Sequence, residues 1–275
     1  MKVLVTTLSF LLLLGSSAAF AQPNGLVLRH LTTGSNYFNT GNYGGAIVSF
    51  TAALELRPTL ADGYFNRGYA KFKLKDYVGA IDDFDETIAW SPADAQAYYL
   101  RAEAHRELKD LPEAERDYTQ ALAFGFKKLE PIFYNRALIA LQLKHYAEAE
   151  ADLQRVLRTS PNRYGLNFKL GLLAYQTKRP REAAEYLTQF LIAQPANTSV
   201  RLLRANIYSE EELFESAIAD YTYILATEPD NGGVLYQRGL AYANSGDQTQ
   251  ACRDLQAASF YGYTPALARL KATCK

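Results

Sequence analysis

Apolar residues recur three and four positions apart in stretches of helical length, broken by short turns, from about residue 27 almost to the C-terminus. That spacing predicts amphipathic helices. A longer period lies over it. Ala46, Ala80, Ala114, Ala149, Ala183, Ala217 and Ala251 are 34 residues apart, except for one step of 35 after Ala114. Twelve residues before each stands a small residue: Gly34, Gly68, Ala102, Ala137, Gly171, Ala205 and Gly239. Four residues after each comes a large apolar one: Phe50, Phe84, Tyr118, Leu153, Leu187, Tyr221 and Leu255. Twelve after, five of the seven copies have proline: Pro58, Pro92, Pro161, Pro195 and Pro229. A fixed period of this length, with two helical stretches per copy, predicts a repeat solenoid. The small residues mark a close helix crossing that a larger side chain would overpack. The large residue fills the adjacent space, and proline ends the second helix. One copy cannot bury its own apolar face, so the copies must stack.

The run Tyr64-Phe65-Asn66-Arg67-Gly68, followed by Asp76-Tyr77, Ala80, Phe84 and Pro92, resembles the tetratricopeptide repeat (TPR). The resemblance implies an all-α fold: a right-handed α-solenoid of seven helix pairs plus a C-terminal capping helix. Copies are expected at 27–60, 61–94, 95–129, 130–163, 164–197, 198–231 and 232–263, after a short segment at 22–26, with the cap at 264–275. The 35-residue copy has Phe126-Lys127-Lys128-Leu129 in place of the proline turn and reads as a tolerated insertion. In the cap, Thr264 is expected as N-cap and Pro265 at the first position, with Leu267, Leu270 and Cys274 on one face. Cys252 and Cys274 are the only cysteines. Either they bridge, tying the cap down, or they are two buried thiols.

Met1-Lys2 precedes a largely apolar run from Val3 to Leu14, then small residues and Ala19-Phe20-Ala21. This reads as a secretory signal peptide over residues 1–21, cut after Ala21. The run is shorter than the ~20 residues of a membrane-spanning helix. The mature chain is therefore expected to be exported, periplasmic or secreted, with no integral membrane segment after cleavage. The formal net charge of zero gives no electrostatic reason to expect nucleic acid as a partner.

The search for chemistry is short. His30, His105 and His145 fall in three different copies, and none belongs to a metal-ligand pair. No CxxC, GxSxG, Walker or GxGxxG motif is present. No enzyme, metal or cofactor is expected. Asn197-Thr198-Ser199 matches a glycosylation sequon and reads as chance. The terminal-carboxylate clamp of chaperone-binding relatives is missing: Asn66 matches, but Leu31, Ser35, Gln96 and Leu100 stand where its other members belong.

Two patterns remain. Arginine precedes the small residue at Arg67, Arg101, Arg136, Arg204 and Arg238, and aspartate follows the repeated alanine at Asp83, Asp117, Asp152, Asp220 and Asp254. Copies one and five lack both, so each arginine is expected to pair with the aspartate of its own copy as a structural ion pair. The TPR resemblance also implies a concave face lined by first helices. Leu31, Phe65, Tyr69, Phe72, Tyr99, Tyr134, Leu138, Phe168, Tyr175 and Tyr236 are expected to line it, interrupted by Glu103, Arg106 and Glu107. Aromatic anchors of this kind dominate binding hot spots. The function that follows is a non-catalytic scaffold holding a peptide or protein ligand in that groove. The alternative is a polysaccharide or cell-wall binding module that stacks tyrosines on sugar rings. Trp90, the better sugar platform, lies on a second helix and weighs against it.

Overall fold

A computed structural model describes residues 17–274, with side chains from Asn24 onward. The described residues form fifteen α-helices and no strand, so the fold is all-α. The chain falls into two compact units that divide between Ile139 and Ala140. The first holds α1 (Ser17–Asn39), α2 (Tyr43–Leu56), α3 (Ala61–Lys73), α4 (Tyr77–Trp90), α5 (Ala95–Glu107), α6 (Leu111–Ala123) and most of α7 (Leu129–Leu143). The second holds the end of α7, then α8 (Tyr146–Thr159), α9 (Leu166–Gln176), α10 (Pro180–Ala193), α11 (Thr198–Glu210), α12 (Phe214–Thr227), α13 (Gly232–Ser245), α14 (Gln248–Phe260) and α15 (Pro265–Thr273). The expected signal peptide lies outside the described residues, apart from 17–21, where α1 opens. Among the described residues no helix is long and apolar enough to cross a membrane.

Short polar devices start and stop the helices. Asn42 and Asp76 each accept a backbone N–H three residues on, opening α2 and α4, and Asp94 caps α5. Asn197 caps α11 through Val200 N–H at 3.0 Å, which gives the sequon asparagine a structural role. Each first helix ends in a left-handed residue in strict register: Gly41, Lys75 and Lys109 in the first unit, Lys144, Lys178, Glu212 and Gly246 in the second. At Lys75 its own N–H donates to the Phe72 carbonyl (2.9 Å), and the N–H of Asp76 donates to the Lys71 carbonyl (3.0 Å). These paired bonds satisfy carbonyls the helix would otherwise leave open.

In the first unit α1 to α6 each pack on the next, and α1 also meets α3 and α3 meets α5; in the second unit α8 to α15 each pack on the next. The seven repeated alanines are all fully buried. So are Phe50, Phe84 and Tyr118 beside them in the first unit, and Leu153, Leu187, Tyr221 and Leu255 in the second. The crossing is tight: a Cβ on Gly34 would lie 2.5 Å from the Phe50 ring.

The cap departs from expectation in two details. Thr264 keeps helical backbone and makes no capping bond. Leu267 is half-exposed, and the residue that α15 buries is Ala266, in the core shared with Val234, Leu235 and Ala258. Gly232, at the start of α13, packs against the turn before α15, where an added Cβ would lie 3.0 Å from Tyr263. Cys252 and Cys274 are bridged, with Cα atoms 5.6 Å apart. A nine-residue helix is marginal by itself, and its far end is held by the bridge together with Gln248 Nε2, which donates to the Thr273 carbonyl at 2.5 Å. Cys274→Ser should lower stability by about 3 kcal/mol. The α15 amides should then exchange hydrogen well ahead of the α13 and α14 core, whereas unchanged exchange in α15 would show that packing alone holds the cap.

Candidate functional site

Seven of the ten expected groove residues lie in the first unit, and all of them are half-buried. On α1, Leu31 packs on the Ala46–Phe50 core together with Phe38, a stripe residue that the sequence pattern did not single out. The Phe38 ring lies 4.9 Å from Tyr69 on α3, and Tyr69 lies 6.4 Å from Phe65. Phe65 reaches inward to Phe84 at 6.1 Å, and Phe72 meets Tyr77 edge-on at 5.4 Å. Tyr99 on α5 stacks at 4.5 Å on Phe126, which stands where five copies have proline. The insertion thus supplies a ring to the stripe. Tyr134 and Leu138 continue it on α7. In the second unit, Phe168 packs on Phe190, the Tyr175 hydroxyl donates to Glu210 at 3.0 Å, and Tyr236 packs on Tyr263. Each residue therefore gives one face to the scaffold and leaves the other accessible.

The expected charged interruption has a different nature. Glu103 is buried. Its carboxylate accepts from the Tyr118 hydroxyl, from Asn135 Nδ2 at 2.8 Å and from Arg106 at 2.8 Å. It is an internal strut joining α5, α6 and α7, and only Arg106 and Glu107, paired at 2.7 Å, stay partly accessible. The reason is local: a tyrosine at the large apolar position buries a hydroxyl, and a buried hydroxyl needs a partner. Tyr221 repeats the arrangement, donating to Asn206 at 2.7 Å. The sequence signal was available, since Glu103 and Asn206 stand at the same position of the two copies that have this tyrosine.

Four arginine–aspartate pairs are bidentate within one copy. Arg67 donates to Asp83 at 2.7 and 3.0 Å, and Arg101 to Asp117 at 2.7 Å twice. Arg204 holds Asp220 at 2.7 and 2.8 Å, and Arg238 holds Asp254 at 2.7 and 2.9 Å. Arg136 and Asp152 belong to different units, and each is described in its own: Arg136 donates to Thr119 at 3.0 Å, and Asp152 is buried. The third guanidinium nitrogen was missed in the sequence. Arg67 donates from it to Thr51, Arg204 to Thr188, Arg238 to Thr222 and Arg101 to Asp85, all on the preceding copy's second helix. Each arginine thus clamps its own pair and ties it to the one before.

Copy five explains its own exception. Leu170 and Tyr186 stand at the arginine and aspartate positions, and Gln154 stands where the preceding copy would offer threonine. Gln154 Nε2 donates to the Tyr186 hydroxyl at 2.8 Å, a neutral replacement for the whole clamp.

The charges are tuned by these contacts. The hydrogen bonds that Arg67 donates to Asp83 raise its pKa. Burial opposes the charge of Arg101, but Asp117 and Asp85 outweigh it and raise its pKa. Burial pushes Tyr99 up to about 12, helped by Glu103, and pushes Tyr221 up to about 12. His105 lies 3.1 Å from Asp110, close enough for an ion pair but outside hydrogen-bonding geometry, and 4.0 Å from Asp117. No group of three side chains able to hold a metal ion occurs among the described residues.

Four family models match, described as tetratricopeptide repeat or TPR repeat, at residues 34–75, 84–126, 136–207 and 234–258. Together they cover more than half of the chain. Among curated proteins, Protein O-mannosyl-transferase Tmtc3 of Drosophila melanogaster is 25% identical over 128 residues. That match takes in 46% of this chain and spans only 14% of the relative. Among solved structures, a tetratricopeptide repeat protein from Parabacteroides merdae is 18% identical with a TM-score of 0.55, over 91% of this chain and all of that one. MamA is 17% identical with a TM-score of 0.56, over 61% of this chain and 91% of its own. A chain of the Naa15/Naa10 complex bound to HypK-THB is 14% identical with a TM-score of 0.67, over 92% of this chain and 39% of its own. At these identities the likeness is one of fold.

Two measurements check the site's energetics. Arg101→Ala should cost about 3 kcal/mol, because it leaves the buried Asp117 without its guanidinium, and Asp117→Ala should cost less, because Arg101 keeps Asp85. In a double-mutant cycle they should couple by about 1 kcal/mol or more, whereas additive losses would remove the contact. The second is alkaline. An unfolded tyrosine releases its proton near pH 10, but Tyr99 and Tyr221 hold theirs to about 12. The unfolded state therefore binds fewer protons in that window, and stability falls as pH rises. It should be intact below about pH 10 and lost progressively towards about 12. Tyr221→Phe should remove part of the late tyrosinate absorbance.

Proposed function

The chain belongs to the tetratricopeptide repeat family, and on that premise we propose that it is a non-catalytic scaffold that holds a peptide or extended protein segment against the aromatic stripe of its first helices. The observation that supports this reading most is the state of that stripe. Phe38, Phe65, Tyr69, Phe72 and Tyr99 are each fixed on one side by core or neighbouring rings and accessible on the other. A ring already locked in place loses little conformational entropy when a ligand covers it. Aromatic anchors of this kind supply most of the energy of protein interfaces. Lys73, whose ammonium sits 5.0 Å over the Tyr69 ring, adds a cation at the rim. The leader expected at residues 1–21 supports an exported site of action, in the periplasm or outside the cell. The sugar-binding reading has less support, because the half-exposed Trp90 ends α4, away from the first-helix stripe.

The test is affinity capture from the native envelope by wild type and by a Tyr69→Ala, Tyr134→Ala variant whose circular dichroism matches wild type. These two positions spare Phe65 and Tyr99, which pack on the core residues Phe84 and Tyr118. A protein partner should be retained by wild type, and each truncated anchor should weaken binding about tenfold. Equal capture by both would move the interface off the stripe. Retention of wall polysaccharide alone would favour the sugar reading.

A further inference from the structure

A second surface lies on a second helix of the pair that lacks the arginine clamp. Along α10 runs an open cleft of about 830 Å³, bounded opposite by the C-terminal end of α11 and by Leu213 ahead of α12. Its size is in the range of roughly 300–1,000 Å³ usual for ligand sites. All of its lining belongs to the second unit.

Two independent features give the cleft a chemistry. The first is charge. Glu182, Glu185 and Glu211 line it against a single basic residue, Arg181. Arg179 occupies Glu182 at 2.9 Å, but Glu185 is exposed and Glu211 has only Arg181 at 3.7 Å, itself 87% exposed. The next residue, Glu212, replaces the lysine that four other copies place at the same left-handed turn (Lys75, Lys109, Lys144 and Lys178), so this rim reverses the sign of its counterparts. The second feature is aromatic. Tyr186 stands where clamped copies bury an aspartate, held by Gln154 at 2.8 Å, and it lines the cleft together with Tyr208. Ala184, Ile207 and Leu213 give the apolar lining.

We propose that this cleft binds a basic, partly apolar segment of a partner protein, distinct from any ligand of the first-helix stripe. A lysine or arginine head group is drawn by Glu185 and Glu211, since opposite charges steer and orient a partner. A cation placed over a tyrosine ring is attracted by its electron-rich face; Tyr186 supplies that ring, whereas Tyr208 already has the Arg204 guanidinium 5.6 Å from its centroid and adds apolar wall. An apolar neighbour of the basic residue covers Ala184 and Leu213. An acidic segment meets net repulsion at the same wall.

Fluorescence anisotropy with the full chain tests this, using a short labelled peptide of alternating lysine and leucine and its glutamate–leucine counterpart as probes. Wild type should bind the lysine peptide and not the glutamate peptide. Glu185→Lys with Glu211→Lys should weaken the lysine peptide at least about tenfold and take up the glutamate peptide. Glu185→Gln with Glu211→Gln, the milder pair, should weaken it at least about threefold, so the test survives if the reversed variant does not fold. Tyr69→Ala with Tyr134→Ala should leave this binding unchanged, which separates it from the stripe reading. Failure of wild type to bind the lysine peptide, or binding indifferent to the glutamates, overturns the proposal.

Discussion

The close crossing of the two helices in each pair is the constraint on which everything else rests. At that crossing one helix offers glycine or alanine and the other a fully buried alanine, so the backbones approach to a distance that admits a hydrogen or a methyl and nothing larger. The large residue one turn on is then sealed in place. Phe50, Phe84, Tyr118 and Tyr221 are buried because the small residues let the neighbouring helix come down over them. No pair buries its outer face by itself, so stability is a sum of pair terms and neighbour terms.

The arginine clamp is the polar counterpart of that crossing. Packing alone tolerates some sliding of one helix along another, because dispersion is not directional. A guanidinium fork with three fixed acceptors is directional. By holding an aspartate of its own pair and a threonine or aspartate of the pair before, each arginine sets spacing and register together. Copy five exchanges this for a neutral glutamine–tyrosine contact, and the helix concerned, α10, borders the acidic, aromatic cleft. Losing the clamp there freed the aspartate position for a residue that faces outward as well as inward.

The same contacts hold the charged and aromatic groups of the scaffold in place. The titratable groups with raised pKa values are arginines and tyrosines engaged in structural contacts or buried in the scaffold, and His105 lies near Asp110 and Asp117. Tyr118 shows the principle: burial and Glu103 raise its pKa, which makes it a better strut and a poorer acid. The repeat presents half-buried rings at a fixed period.

The repeated alanine, its small and large companions and the proline were readable directly, because a 34-residue period makes each copy a check on the others. The own-copy partners of Arg67, Arg101, Arg204 and Arg238 followed from the same comparison. Other features were not readable, for physical reasons. Threonine and aspartate both accept a guanidinium N–H, so the third acceptor showed no single residue type to recognise until the fold brought Thr51 beneath Arg67 and Asp85 beneath Arg101. Glu103 looked like a groove charge because helical periodicity gives a residue's direction and not what covers it; the Tyr118 hydroxyl and Asn135 turned it into a strut. The apolar pattern of the cap pointed to Leu267, but the residue that the packed cap buries is Ala266. The sequence by itself determined the repeat, its helix pairs and the residue types at every crossing, because these are local and periodic. Only the tertiary structure decided which polar groups are satisfied, which rings keep a free face and where the cleft opens, because burial is a property of neighbours that no single helix specifies.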